Sequence, residues 1–148
     1  MNPQNGYDIE DIAVGMSANL GKTITEADIL LFSAVSTDTN AVHLDEEYGK
    51  TTMFGGRIAH GMLSASLLSA VLGTRLPGPG VIYLGQSLRF RAPVRIGDTV
   101  QAKVMVKEVI ADKCRVVLDT VCTVAGKVVI EGEATVMTTS RAKREAGK

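Results

Sequence analysis

From Gly61 to Leu72 the chain reads Gly-Met-Leu-Ser-Ala-Ser-Leu-Leu-Ser-Ala-Val-Leu, with no charged residue and no proline. Wound as a helix, this stretch spreads Met62, Leu63, Leu67, Leu68, Val71 and Leu72 over almost every direction and leaves no wide polar face. A helix that is apolar all round must be surrounded by protein. Gly73 is the expected C-cap, and Pro77-Gly78-Pro79-Gly80 stops the chain from continuing helically. Serines interrupt the apolar run, which falls well short of the ~20 residues a bilayer span requires. The helix is therefore predicted to lie buried at the centre of a soluble fold, with the rest of the chain wrapped around it.

The remaining sequence supplies the wrapping. Val81 to Phe90, Thr99 to Val109, Lys113 to Val124 and Val128 to Thr138 are rich in β-branched residues and partly alternate, so four strands are predicted. Ala111-Asp112 and Ala125-Gly126-Lys127 read as hairpin turns. In the first of these strands Leu88 and Phe90 point one way and Ser87, Arg89 and Arg91 the other. Upstream, Ser17 to Ile24 is a fifth strand, and Thr25 with Asp28 three residues on starts a helix through Val35, with Leu30, Leu31 and Val35 widening its apolar face. Ser36 to Asn40 ends that helix in a turn. Asp45-Glu46-Glu47-Tyr48 is a short helical turn, and Thr51 to Arg57 a glycine-containing loop.

One buried helix and about five largely sequential strands make an α+β domain in which an antiparallel sheet curls around the helix. At 148 residues and 45% hydrophobic content, a single domain is expected over 1–148. The lead up to about residue 15 and the tail from about 140 are expected to be peripheral, the tail frayed and solvated. Lysine plus arginine equal aspartate plus glutamate, so bulk charge points to neither a nucleic-acid nor a membrane partner. No basic-then-apolar leader opens the chain, and the cytoplasm is the expected compartment. Cys114 and Cys122 form no metal-binding spacing and are expected to be buried free thiols. An open sheet leaves an edge and a face exposed, which a homodimer would cover.

Both histidines, His43 and His60, lie near the start of the buried helix in sequence, and Asp38 precedes His43 by five residues. An imidazole can exchange a proton near neutrality, and a nearby carboxylate supplies a second base. Across a turn the two can face one water molecule. At Gly61 the first N–H groups of the helix lack intrahelical partners and the helix dipole is positive, which suits an oxygen gaining negative charge; equally, Gly61 can simply relieve crowding at the helix start. His60 is expected to be structural, a partly buried ring bonded to nearby backbone. Ser69 can bond to the Asp38 region or pack between helices. Arg89 and Arg91 are read as solvated strand residues that can also meet phosphates at a pocket rim. No serine elbow and no cysteine with an adjacent base is present.

Asp38-Thr39-Asn40-Ala41-Val42-His43 resembles the Asp-x-Asn-Pro-x-His signature of the MaoC-like, (R)-specific enoyl-CoA hydratases, and Ile58 to Leu63, Ile82 to Phe90 and Pro93 to Asp98 are also similar to that family. The resemblance runs from about Gly21 to Thr138. It implies a hot-dog fold, usually as a homodimer, and syn hydration of a trans-2-enoyl-CoA to the (R)-3-hydroxyacyl-CoA without metal or redox cofactor. By the same resemblance Asp38 and His43 are the catalytic pair, the Gly61 N–H binds the thioester oxygen, Asn40 holds the loop and Ser69 supports the aspartate. Ala41 departs from the usual proline. Acyl carrier protein in place of coenzyme A, a branched or dicarboxylic acyl group, and a hot-dog thioesterase are the alternatives.

Overall fold

The structure, a computed structural model, describes residues 1–147; Lys148, the end of the tail, lies outside them. Six strands form one antiparallel sheet: β1 (Ser17–Thr23), β2 (Ile82–Gln86), β3 (Arg89–Phe90), β4 (Thr99–Ile110), β5 (Arg115–Val124) and β6 (Lys127–Met137). The order across the sheet is β1-β4-β5-β6-β2, with β3 also on β6. Among the described residues five α-helices accompany it: α1 (Glu26–Ser36), α2 (Ala41–Leu44), α3 (Glu46–Lys50), α4 (Gly61–Thr74) and α5 (Arg141–Ala146).

α4 is the predicted central helix. It packs on β1, β4, β5 and β6, and its Leu67, Leu68, Val71 and Leu72 share one core with the inward residues of β4, β5 and β6. On β4 the alternation is regular, so Val100, Ala102, Val104 and Val106 are buried while their neighbours are exposed; burying each large apolar side chain contributes about 2 kcal/mol. The helix runs past Gly73 to Thr74, with Arg75 at the C-cap, because β-sheet packing on the preceding turns outweighs glycine's weak helix propensity. The expected enclosure on all sides is not met within one chain. Met62, Ser66 and Ser69 form an uncovered stripe beside exposed Tyr83 and Leu84 of the edge strand β2. Leu30, Leu31 and Val35 of α1 are likewise exposed rather than buried.

The single strand predicted over Val81 to Phe90 is two. Ser87 crosses β6 closely enough that a Cβ on Gly132 would lie 1.9 Å from the Ser87 carbonyl oxygen, and Ser87 Oγ accepts from Glu133 N at 3.0 Å. Ser87 thus caps the break between β2 and β3, and Leu88 and Phe90 still face α4. The other strands and the α1 capping box, Asp28 N to Thr25 Oγ1 and Thr25 N to Asp28 Oδ2, match expectation. Between β5 and β6, Ala125 and Gly126 both have positive φ, 48° and 79°, the geometry of a two-residue hairpin turn. Cys114 and Cys122 are buried free thiols, and burial pushes the Cys122 thiol up to about 11.

The lead and the tail are not peripheral. Asp8 is fully buried and receives Arg144 through both guanidinium nitrogens and the Thr139 hydroxyl at 2.7 Å. Glu10 accepts from Ser140 Oγ and from the N–H groups of Arg141 and Ala142 at the start of α5, and Asp11 pairs with Arg141. Carboxylates before β1 therefore cap the helix after β6, an arrangement that charge composition alone does not reveal. Among the described residues, no helix is long and apolar enough to cross a membrane.

Candidate active site

α1 ends at Thr37, whose left-handed backbone (φ 63°) turns the chain so that Asp38 lies over the start of α4. Asn40 then caps α2, its Oδ1 accepting from Val42 N at 3.2 Å, while its own N–H donates to Asp38 Oδ1 at 3.2 Å. His43 accordingly sits on a short helix that follows the predicted turn over Ser36 to Asn40. Ala41 is the first residue of that turn, a position where proline is tolerated but whose geometry the Asn40 cap supplies by itself.

The His43 ring is nearly buried. Its Nδ1 lies 2.8 Å from the Ile58 carbonyl oxygen, which can only accept; the network therefore assigns the proton to Nδ1 and a lone pair to Nε2. Nε2 is 4.0 Å from Asp38 Oδ2, too far for a direct hydrogen bond and suited to one water about 2.8 Å from each. Burial holds the His43 pKa below the ordinary histidine value; proximity to His60 acts in the same direction, whereas the Ile58 hydrogen bond and Asp38 oppose it. The lone pair is thus available around neutrality. Arg57 Nε donates to the His43 carbonyl oxygen at 2.7 Å, and the same guanidinium grips Glu26 with two bonds, fixing α2 to α1.

Asp38, His60, Gly61, Ser64 and Phe90 line one cavity of about 510 Å³, otherwise mostly apolar. Gly61 opens α4 there. A Cβ at Gly61 would lie 2.6 Å from the Phe90 ring, so glycine is what lets the ring close over the helix start. Asp38, His43 and His60 also bring ligand atoms within 4.8 Å of one another, but the two imidazoles are stacked, centroids 3.8 Å apart and 28° from parallel. In-plane lone pairs on stacked rings run side by side instead of converging, which suits proton transfer better than chelation of a metal.

Two acceptors poised across a water-sized gap, a helix start with free N–H groups and an apolar cavity beside them can activate water next to a polarised carbonyl group. The MaoC-like domain profile matches residues 11–133. The chain belongs to the MaoC-like family. Within that family it is 64% identical over 132 residues to the (R)-specific enoyl-CoA hydratase of Rhodospirillum rubrum, covering 89% of this chain and 92% of the relative. It is 50% identical to the 3-hydroxybutyryl-CoA dehydratase of Methylorubrum extorquens, covering 86% and 81%. The unliganded R-hydratase structure from Pseudomonas aeruginosa superposes with a TM-score of 0.87 at 47% identity, covering 92% of this chain and 88% of that one. The fold is accordingly the hot-dog fold of the MaoC-like hydratases.

Of the site residues expected from sequence, Asp38, Asn40, His43 and Gly61 come together. Ser69 does not join them within one chain: it faces a second cleft with Phe32, Met62 and Tyr83, and among the described residues it makes no hydrogen bond to Asp38. Phe90, Arg57 and the Ile58 carbonyl went unrecognised as site components. No local pattern marks them, although Gly61 without a side chain implied that something approaches it.

Proposed function

We infer that the chain is an (R)-specific enoyl-CoA hydratase, adding water across the trans-2 double bond of an enoyl-CoA and, in reverse, dehydrating the (R)-3-hydroxyacyl-CoA. The observation that carries the mechanism is the 4.0 Å gap between two acceptors, His43 Nε2 and Asp38 Oδ2. Water held there donates to both. Its oxygen attacks the β carbon as the pair removes a proton; electron density moves through the α carbon to the thioester oxygen, which the Gly61 N–H and the α4 dipole stabilise. The pair then returns a proton to the α carbon from the side on which water was held, so addition is syn. Asn40 positions both groups through the α2 cap.

The test is loss of enoyl absorbance from crotonyl-CoA and longer trans-2-enoyl-CoAs, run beside the matching acyl-carrier-protein thioesters and a free-thiol assay. Hydration without thiol release is expected, with Asp38→Asn and His43→Gln each lowering turnover by about 10³-fold, in the range of lost acid–base catalysis, while remaining folded. Because burial holds His43 below its ordinary value, the acidic limb of the pH profile should fall below about 6.5. Thiol release without hydration would instead make the chain a thioesterase.

A homodimer is part of this reading. The uncovered Met62, Ser66 and Ser69 stripe of α4, the exposed edge strand β2 and the cleft between them form one continuous surface on which a second copy would complete the enclosure of the helix and give Ser69 a site to serve.

A further inference from the structure

His60 is the least exposed ionisable group around the cavity, at 2%, and it touches both Asp38 and His43. Its Nε2 lies 3.0 Å from the Asp38 carbonyl oxygen and 3.1 Å from Ser33 Oγ. The carbonyl can only accept, so the network assigns the proton to Nε2. One face of the ring stacks on His43 at 3.8 Å, and Phe32 lies against the ring at 4.9 Å in a tilted arrangement. Nδ1 is buried without a hydrogen-bond partner, as is Ser64 Oγ one helical turn on; an unprotonated Nδ1 leaves no orphaned donor there. His60 is also the N-cap of α4, yet its side chain makes no cap hydrogen bond. A residue kept at this buried position for helix capping alone would use its side chain on the helix. Here the ring is turned away, toward the segment that carries the proposed acid–base pair.

We propose that His60 is a positioning residue of the hydration reaction, holding the main chain of Asp38 through Nε2–H and the plane of the His43 ring by stacking. The inference rests on the hydratase reading above. The 4.0 Å gap is bounded by Asp38 on a turn and His43 on a four-residue helix, two short elements with few constraints of their own. His60 belongs to the end of the longest helix and tethers both to it. A displacement of about 1 Å between reacting groups can cost on the order of 10²-fold in rate, so the tether acts on turnover more than on binding.

Two variants separate its two contacts. His60→Gln keeps an N–H donor near the Nε2 position and loses the ring; His60→Phe keeps a flat ring against His43 and loses the donor. The Phe variant should lower kcat about 100-fold with KM within twofold, and the Gln variant should recover about tenfold of that loss. The chain has only two histidines, so imidazole nitrogen NMR reads the geometry independently of activity: the wild type should show one Nδ1–H and one Nε2–H tautomer, His43 should stay Nδ1–H on the Ile58 carbonyl in both variants, and its ring signals should shift and broaden in the Gln variant, which loses the stack, more than in the Phe variant, which keeps it. A folded Phe or Gln variant with kcat within twofold of wild type, or a loss carried by KM alone, overturns the proposal. Should the Phe variant not fold, the Gln variant decides by the same criterion. If the wild type fails to hydrate enoyl-CoAs, the hydratase reading falls, and His43 ring signals in the Gln variant as sharp and unshifted as in the wild type would separately remove the positioning role.

Discussion

Gly61 shows how much a single absent side chain can carry. Its place at the first turn of α4 leaves an N–H without an intrahelical partner, the donor that the proposed mechanism gives to the thioester oxygen, and its lack of a Cβ admits the Phe90 ring to within 2.6 Å of where that atom would be. Gly61→Ala should therefore push the half-exposed Phe90 ring off the helix start and into the cavity. Turnover is expected to fall about 100-fold, the scale of one oxyanion donor, because the displaced ring blocks the approach to the Gly61 N–H, while stability changes by under about 1 kcal/mol because the half-exposed ring gives way and the backbone does not. Steady-state rates beside urea unfolding check this; wild-type turnover in a folded Gly61→Ala protein would mean that the close approach of Phe90 to the helix start does not matter to the reaction. At this scale the Asp38, Asn40 and His43 spacing was legible in the sequence, since its parts are local. The Ile58 carbonyl that fixes the His43 tautomer was not, because a main-chain acceptor has no residue signature.

Elements behave differently, and the join between the lead and α5 is the clearest case. Asp8 is held far below the usual carboxylate range, chiefly by its hydrogen bonds from Arg144. Glu10 is pushed down to about 2, first by Ser140 Oγ, and Asp11 to about 2 by the amino terminus and then Arg141. Carboxylates whose pKa drops on folding add stability that is fully present above their unfolded values near 4 and is lost as pH falls from there toward 2. Asp8→Asn removes the charge that Arg144 grips and should cost about 2 kcal/mol. We expect a lower urea midpoint at pH 7, with a wild-type to variant difference that shrinks below pH 4, and near-normal hydration by the folded variant; an unchanged midpoint would mean that the join contributes nothing. Along the chain both segments look peripheral because each is short and largely polar, and only their meeting in space pairs the charges.

For the whole molecule, the open question of shape is what covers α4. One face of the helix is buried by the sheet and the opposite stripe is not, although the helix carries no charged residue. A homodimer through this stripe and β2 should sediment at twice the 15.7 kDa chain mass. Leu84→Asp, which places a charge on the exposed edge strand, should shift it toward monomer. A wild-type protein that sediments as a monomer at micromolar concentration would refute the dimer and leave Ser69 without a role at the site.

Near neighbours along the chain encode the central helix, the positions of most strands and the Asp38-to-His43 motif, because hydrophobic periodicity, capping residues and a six-residue spacing are local. Tertiary structure decided the rest. The break of one predicted strand at Ser87 depends on Gly132 forty-five positions away in the chain, the clamp on Asp8 depends on Arg144, and the stacking of His60 on His43 depends on how α4 meets α2. Each is a contact between residues distant along the chain, whose partners are chosen by the packing of the sheet around the helix and not by any local pattern. His60 changes most in the passage from one to the other: in sequence it is one more histidine before a glycine, and in the fold it is the point where α1, the Asp38 turn, α2 and α4 are tied together.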